Sequence, residues 1–526
     1  MALTPGKLLR HTRNALQAQQ SLWAGRPAAD PVFAYQAIDS WLAALASRSL
    51  PPARGRIAIT ALRSLSWIEW AAYAAAVLRT LGWETTLLFR GSQIRRLYPE
   101  PRAINFWARV PDLPGVELID LETEPRVNCA DDGLRALAQR LAPTNVAYDL
   151  HLEECDISAD PVAHGPRVAA RADEIVAMGE ALDGLLARRS FARLVCYSGL
   201  IAESPGLLHV ARRRGVLTVC LEGWAWRPGH LIYNRDAPAM AYNVAGWMRS
   251  LGPWNAEKER EVNAYLKFLD GEKHDGEWLA NFHRIQRDTL AQALPPDLRA
   301  FLEGAEPVFV LATNVIGDSS TLGCETIFAG QQPWIAQVVR WFAARPHLKL
   351  VIRAHPAERW IGGKCAIYLG EVSRKLAGGH PNIRVIGSEE SMNTFALVPF
   401  ARAGLAWLSS AGVDFVVRGI PAAVAARPKY TGLGIVEEPA TQEEYFALIE
   451  RWAGQVERPA VSQITQGKRY LHLVFKGFSF EATGRNFRAT GMKLGAMPSQ
   501  AEHDRFYRIL CGDEPMPDVA EAMAGA

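Results

Sequence analysis

The feature that most limits what this chain can fold into is its alternation of short apolar runs with longer stretches of helical period. Strand-like runs occur at 56–60, 84–89, 116–121, 145–150, 194–197 and 217–221. Between them lie helical stretches at 67–81 and 167–188, and one ending at Arg214. After a charged, Trp-containing stretch a second series begins, with strand-like runs at 308–311, 348–352, 383–386, 405–408 and 422–425. Helical stretches at 334–344, 371–376, 392–401 and 411–418 separate these, and the capping-box spacing from Thr441 to Glu444 opens a last one that runs to Trp452. Near-continuous apolar strands separated by helices point to βαβ units on a parallel sheet covered on both faces.

Two such series in 526 residues predict two α/β domains, since a domain usually takes about 100–200 residues. The expected organisation is a helical segment at 1–50, a Rossmann-like domain at 55–250 and a helical linker region at 251–304. A second Rossmann-like domain at 305–455 and a helical segment at 456–526 complete it. Composition narrows the class. A hydrophobic share of 49% with 21% charged residues fits a folded globular chain rather than a disordered one. A net charge of +3 gives no reason to expect nucleic acid as a partner. The cluster Arg212-Arg213-Arg214 ends a helix, where cations suit the dipole. Seven scattered cysteines without CxxC or zinc spacing suggest a reducing, cytoplasmic setting. Cys196 and Cys220, inside apolar runs, read as small core residues. The N-terminus lacks a signal-like apolar region, and the most apolar stretch, 70–78, is far below the roughly 20 residues of a membrane span.

The chemistry-bearing residues cluster where strands of the second series end. Ligands of open α/β sheets bind at that edge. Arg353-Ala354-His355-Pro356 follows one strand, and Ser409-Ser410-Ala411-Gly412-Val413-Asp414 another. His355 reads as a cation offsetting charge on a departing phosphate, or as a turn histidine bonded to backbone. Arg353 either reinforces a phosphate contact or pairs with a carboxylate. In the second turn Ser410 suits an N-cap, Gly412 permits close approach to backbone, and Asp414 falls in the first helical turn. A carboxylate there repels phosphate but suits a ribose hydroxyl. The alternative is an ordinary capped helix whose Asp favours the dipole. Asn314, Asp318 and Ser319 occupy the loop after the first strand of this series. Arg427, Lys429 and Tyr430 follow the last, in a loop closed by Gly432 and Gly434. In the first half Glu69, Glu222 and Asp236 are candidate general bases, with Glu222 preferred.

No D-x-D triplet, P-loop or G-x-G-x-x-G occurs. Kinase, ATPase and nicotinamide chemistries lose their main support, and no metal or cofactor is expected.

Taken in order, Thr313-Asn314 with Asp318-Ser319, the Arg-x-His-Pro-Ala-Glu run at 353–358, 381–386, 409–414, Gly419-Ile420-Pro421 and 427–434 resemble bacterial capsule-polysaccharide glycosyltransferases of GT-B fold. That broad group includes the capsule Kdo transferases. In the first half, 57–82 and 193–247 look like the same group. The resemblance implies two Rossmann-like domains facing a cleft, a nucleotide-sugar donor on the C-terminal one and a glycan or lipid-linked glycan acceptor on the other. It places His355, Ser409, Ser410 and Gly412 at the donor phosphates. The group commonly has Glu where Asp414 stands here. A nucleotide-sugar 2-epimerase, a polyol-phosphate transferase or a non-catalytic assembly protein of the same fold are the rivals. The basic, aromatic run at 468–478 resembles one often found in the group. It reads either as a peripheral contact with the inner membrane or as a helix packing back on the protein.

Overall fold

A computed structural model of the chain describes residues 31–62, 65–97, 107–126, 131–223, 230–241, 244–270, 272, 294–359, 366–474, 480–481, 487–488, 491–492 and 501–514. The chain divides into two compact units. One gathers Gln20–Val146, Val162–Asn243 and Phe478–Ala526, and the other includes Ala147–Pro161 and Val244–Gly477.

The first unit is built on β1 (Gly55–Thr60), β2 (Trp83–Phe89), β3 (Val116–Asp120), β4 (Arg193–Tyr197), β5 (Thr218–Gly223) and β6 (His230–Arg235). Their order is β6-β5-β4-β1-β2-β3, with the short strand Phe480–Glu481 beyond β6. The pairings from β5 to β3 are parallel, whereas β6 and Phe480–Glu481 run antiparallel. Helix α1 (Leu65–Thr80) follows β1. Its residues 67–78 are all buried, and Glu69 is the one charged side chain among them. An all-round apolar sequence of this kind belongs to a fully enclosed helix.

The run 145–150, expected as a strand, is instead the end of the helix Asp132–Leu150. Leu134, Ala138, Ala142 and Val146 are buried at a spacing of four, the period of one helix face. Asn145 stays inside this helix because its amide donates to the Leu141 and Leu200 carbonyls and accepts from Ala202 N–H. That tertiary contact overrides the local β preference of Val146 and Tyr148.

The second unit carries β7 (Val308–Ala312), β8 (Lys349–Arg353), β9 (Ile383–Ile386), β10 (Ala401–Ala406) and β11 (Ala422–Val424), in the order β11-β10-β7-β8-β9. All four pairings are parallel. Its helices include α2 (Ala256–Leu269), α3 (Gln331–Ala343), α4 (Leu369–Ala377), α5 (Ala411–Val417), α6 (Gln442–Gly454) and α7 (Val461–His472). Phe309, Leu311, Trp334, Leu350, Ile352, Leu405, Trp407, Tyr445 and Trp452 form the core. The buried Trp334 indole donates to Tyr445 Oη at 3.0 Å, so this large ring is enclosed without an orphaned N–H. Residues 392–401, expected as an α-helix, form a 3-10 segment over Thr394–Phe400. Pro399 has no N–H to continue an α-helical ladder there.

In both units the first strand of the series sits centrally, with the second and third on one side and the fourth and fifth on the other. This is the doubly wound order, whose winding reverses between β1 and β4 and between β7 and β10. Two Rossmann-like α/β units are the fold content expected of a GT-B chain.

In the described part of the basic, aromatic run, 468–474, the large apolar side chains are packed into the protein. Within α7 and just after it, Tyr470, Leu471, Leu473 and Val474 are buried. A Cβ on Gly467 would lie 2.8 Å from Val417, so this glycine lets α7 press onto α5. Lys468 pairs with Glu259, and His472 Nε2 lies 2.9 Å from Glu261. The end of the run, 475–478, lies outside the described residues. Among the described residues no helix is long and apolar enough to cross a membrane. Cys155, Cys196, Cys220, Cys324 and Cys511 are free thiols, and the strand cysteines 196 and 220 are fully buried.

Candidate functional site

At the carboxyl edge of the second unit, side chains knit the ends of β7, β8 and β10 together. The Asn314 amide oxygen, just past β7, accepts from Leu408 N–H past β10 at 3.3 Å. This bond spans the point where the winding reverses. Asn314 N–H in turn donates to the Gln331 side chain at 2.8 Å, and His355 N–H donates to Thr313 Oγ1 at 3.0 Å. Asn314, His355, Ser409 and Ser410 all keep part of their surface exposed.

A helix beginning at this edge presents unpaired N–H groups, which ordinarily attract an anion. Here the protein supplies the anion at two of them. Glu153, from the segment inserted between two halves of the other unit, accepts from Gln331 N–H at 2.5 Å and Gln332 N–H at 3.0 Å at the start of α3. Glu358, five residues beyond Arg353, accepts from Leu369 N–H at 3.2 Å at the start of α4. Both carboxyls are pushed up by burial, Glu358 to about 7, despite these hydrogen bonds. At α6 the Thr441 hydroxyl accepts from Glu444 N–H at 3.2 Å. Neither glutamate was singled out as a site residue by the sequence. Glu358 ends the Arg-x-His-Pro-Ala-Glu run, and Glu153 precedes Asp156 at a capping-box spacing, which was the available signal.

The turn into α5 differs. Among the described residues no carboxylate caps it, and its two serines, Ser409 and Ser410, are half-buried at the end of β10. Ser409 Oγ accepts from Ala411 N–H at 3.2 Å, while Ser410 makes no side-chain cap. Below the turn, Tyr430 Oη donates to the Ser409 carbonyl at 2.7 Å and is fully buried. Tyr430 therefore braces the turn from inside rather than meeting a ligand. A Cβ on Gly412 would lie 2.8 Å from that hydroxyl, so this glycine makes room for Tyr430, not for ligand backbone contacts.

Two further expectations are corrected by burial. Arg353 is 2% exposed, and its guanidinium donates to the Gly387 and Met392 carbonyls at 2.6 and 3.1 Å. It ties β8 to the loop after β9 instead of reaching the edge. Asp414 is 3% exposed and lies 3.3 Å from Arg418, which also binds Asp270 at 2.9 Å. Burial raises its carboxyl to about 6, and the side chain links α5 to α2 rather than offering itself to a ribose.

His355 remains at the edge, but not as a resting cation. Its Nδ1 accepts from Ala357 N–H at 3.1 Å, which leaves the ring proton on Nε2. Burial lowers its pKa to about 4, with Asp318 pulling it up and Arg353 pushing it down. The neutral ring is thus an Nε2–H donor. Asp318, exposed, caps a short turn by accepting from Ser320 N–H at 2.8 Å, and Ser319 begins that turn. After β11, Arg427 is exposed and Lys429 half-buried, and Arg427 Nη2 donates to the Gly323 carbonyl at 3.0 Å.

Glu153, Cys155 and Asp156 bring three ligand-type atoms within 4.8 Å of one another. Gln331 and Gln332 N–H groups already engage Glu153, and Gln332 Nε2 bonds Asp156 at 3.1 Å. Burial and Glu153 push the Cys155 thiol to about 12, far from a thiolate ligand. A small cavity beside them is lined by Glu153, Glu154, Glu325 and Trp407, a lining that repels phosphate.

In the first unit Asp236 accepts from Thr218 N–H at 2.8 Å, closing the turn after β6. Glu222, in β5 opposite Ile232, is buried and engaged with other groups. Glu69 is 6% exposed, and burial alone raises its carboxyl to about 7.

No protein-family model matches the chain, and no curated protein does. Solved structures align at low similarity. A β-Kdo 2,7-transferase, KpsC, of Thermosulfurimonas dismutans shares 12% identity over 59% of this chain and 84% of its own, with a TM-score of 0.34. The calicheamicin glycosyltransferase CalG4 shares 14% over 81% of this chain and 95% of its own, at 0.27. A UDP-GlcNAc 2-epimerase of Neisseria meningitidis shares 12% over 80% and 98%, at 0.23. At such scores neither substrate nor mechanism passes from these proteins to this one.

Proposed function

We propose that the chain is a glycosyltransferase that takes a sugar from a nucleotide-sugar donor and gives it to a glycan or lipid-linked glycan of cell-surface polysaccharide. The observation that carries this reading is the distribution of anions at the edge of the second unit. The starts of α3 and α4 hold internal carboxylates, which would repel phosphate, while the β10 turn presents Ser409 and Ser410 beside the reversal point.

The donor phosphates then meet the Ser409 and Ser410 hydroxyls and the Nε2–H of His355, with Arg427 and Lys429 offsetting their charge. Helix α5 has seven residues, so hydroxyl and imidazole donors carry more of the contact than a dipole does. As the sugar leaves, negative charge grows on the phosphate oxygen. Donors already oriented toward it stabilise that charge without reorganisation. The proposal needs no metal, because cations and neutral donors supply the compensation. The ribose contact first given to Asp414 is withdrawn from it. The acceptor class rests on the sequence resemblance.

Calorimetric titration with CMP, UDP, GDP and CDP tests the donor half of this reading. One of the four is expected to bind, and His355→Ala to weaken it. Binding of none would remove the nucleotide-sugar reading. Incubating the matching nucleotide sugar alone separates the rivals, since an epimerase would convert it without an acceptor.

A further inference from the structure

Resting on the glycosyltransferase reading, we infer that the donor carries a neutral sugar, one of whose hydroxyls enters the small cavity beside the β10 turn, and that sugars bearing a carboxylate are excluded.

The cavity lies wholly within the second unit. Its walls come from the end of β10, the loop after β7, the start of α3 and the segment that carries Glu153. Trp407 lines it and stands two residues before Ser409, so no more than about 7 Å of chain separates this wall from the proposed phosphate turn. Arg427, one of the cations assigned to the phosphates, donates through Nη2 to the carbonyl of Gly323, another lining residue. The sugar is the part of the donor joined to the phosphates, and it is the part within reach of the cavity. The free space is about 20 Å³, room for one water-sized substituent and not for a sugar ring.

The walls decide which substituent fits. Gln331 is 2% exposed and Trp407 1% exposed, and both line the space. The Gln331 amide oxygen accepts from Asn314 N–H. Its Nε2, like the Trp407 indole Nε1, has no hydrogen-bond partner among the described residues. The neighbouring indole of Trp334, by contrast, donates to Tyr445. Enclosed N–H groups are ordinarily met by an acceptor, so two unmet ones lining one cavity point to a group that binds there.

The remaining polar walls are acceptors. Glu153, Glu154 and Glu325 line the space, and among the described lining residues there is no Lys, Arg or His. Burial holds the Glu325 carboxyl above its ordinary range, and Glu154 adds to the rise. A further negative charge is therefore opposed there. A hydroxyl suits both kinds of wall, since its oxygen accepts from the two N–H groups while its proton goes to a carboxylate. An ammonium group would leave the N–H groups unmet, and a carboxylate would face three like charges. Sites built to hydrogen-bond a hydroxyl reject analogues that cannot replace it, because buried groups are then left unpaired.

The test is calorimetric titration with CMP, UDP, GDP and CDP and with two sets of sugar nucleotides. UDP-glucose, UDP-galactose, GDP-mannose and CDP-glucose are neutral in the sugar, whereas CMP-Kdo, UDP-glucuronate and GDP-mannuronate are acidic. At least one neutral sugar nucleotide should bind wild type about tenfold more tightly than its bare nucleotide. No acidic one should gain over its own nucleotide. In Glu325→Gln the preference for the neutral over the acidic sugar on one nucleotide should fall by about threefold or more. An acidic sugar nucleotide that outbinds its nucleotide overturns the inference, and so does an unchanged preference in the variant. Neutral sugars that add nothing to any nucleotide overturn it too, as a cavity that holds water only. In each of those cases nucleotide binding keeps the donor reading intact. Binding of none of the four nucleotides overturns the donor reading, and this inference falls with it.

Discussion

Glu153 and Glu69 are both glutamates enclosed by an α/β unit, yet they are enclosed in opposite ways. Glu153 is met by two main-chain N–H groups at the start of α3, and Glu358 is met similarly at α4. Among the described residues, nothing that meets Glu69 offsets its burial. The difference separates structure from chemistry. A carboxylate that accepts N–H groups at a helix start recovers part of its burial cost and closes a potential anion site. One left uncompensated weakens the fold. Proteins often accept such a loss of stability at functional positions.

The largest effect expected from this contrast is a gain of stability on replacing Glu69. Its folded pKa of about 7 lies above the ordinary value of 4.5, so the folded state favours the protonated form. Stability from this group is complete below the unfolded pKa and is lost as pH rises through about 7. Urea unfolding should therefore show Glu69→Gln more stable than wild type at pH 8 by up to about 3 kcal/mol, with the gain disappearing near pH 4. Equal stabilities at pH 8 would show that Glu69 is compensated after all.

Glu153→Ala should move the other way. Removing the acceptor from Gln331 and Gln332 N–H should cost about 2 kcal/mol, seen as a lower urea midpoint. A neutral result would reopen the start of α3 as a phosphate site. His355→Ala should leave stability nearly unchanged and weaken nucleotide binding about tenfold, the loss of one hydrogen bond to a charged group, or about 1.4 kcal/mol. Because the ring rests neutral, binding at pH 8 should take up no proton, which calorimetry in buffers of different ionisation enthalpy would reveal. The smallest effect belongs to Tyr430→Phe. Losing its bond to the Ser409 carbonyl should lower stability by about 1 kcal/mol.

Much of the fold was legible because period survives in sequence. Val308, Val310 and Leu311 read as a buried strand, and Thr441 with Glu444 marked the start of α6. The exception at 145–150 arose because Val146 and Tyr148 suit either state, and a contact from Asn145 to the distant Leu200 decided between them. Site residues were harder to read for a different reason. Arg353 and Asp414 occupy the positions that the turns predict, but each points inward, to carbonyls in one case and to Arg418 in the other. Strand and turn patterns locate a residue on an edge. They do not say whether its side chain is already taken by a partner elsewhere in the fold. Glu153 shows the same limit, since its partners at 331 and 332 are remote in sequence.

The central claim is that phosphate binds at the β10 turn because the protein's own carboxylates fill the neighbouring helix starts. Its most direct test is calorimetry of CMP, UDP, GDP and CDP on wild type, on the double variant Ser409→Ala with Ser410→Ala, and on Glu69→Gln. One nucleotide should bind wild type and Glu69→Gln alike and bind the double variant at least tenfold more weakly. Full affinity in the double variant would contradict the claim.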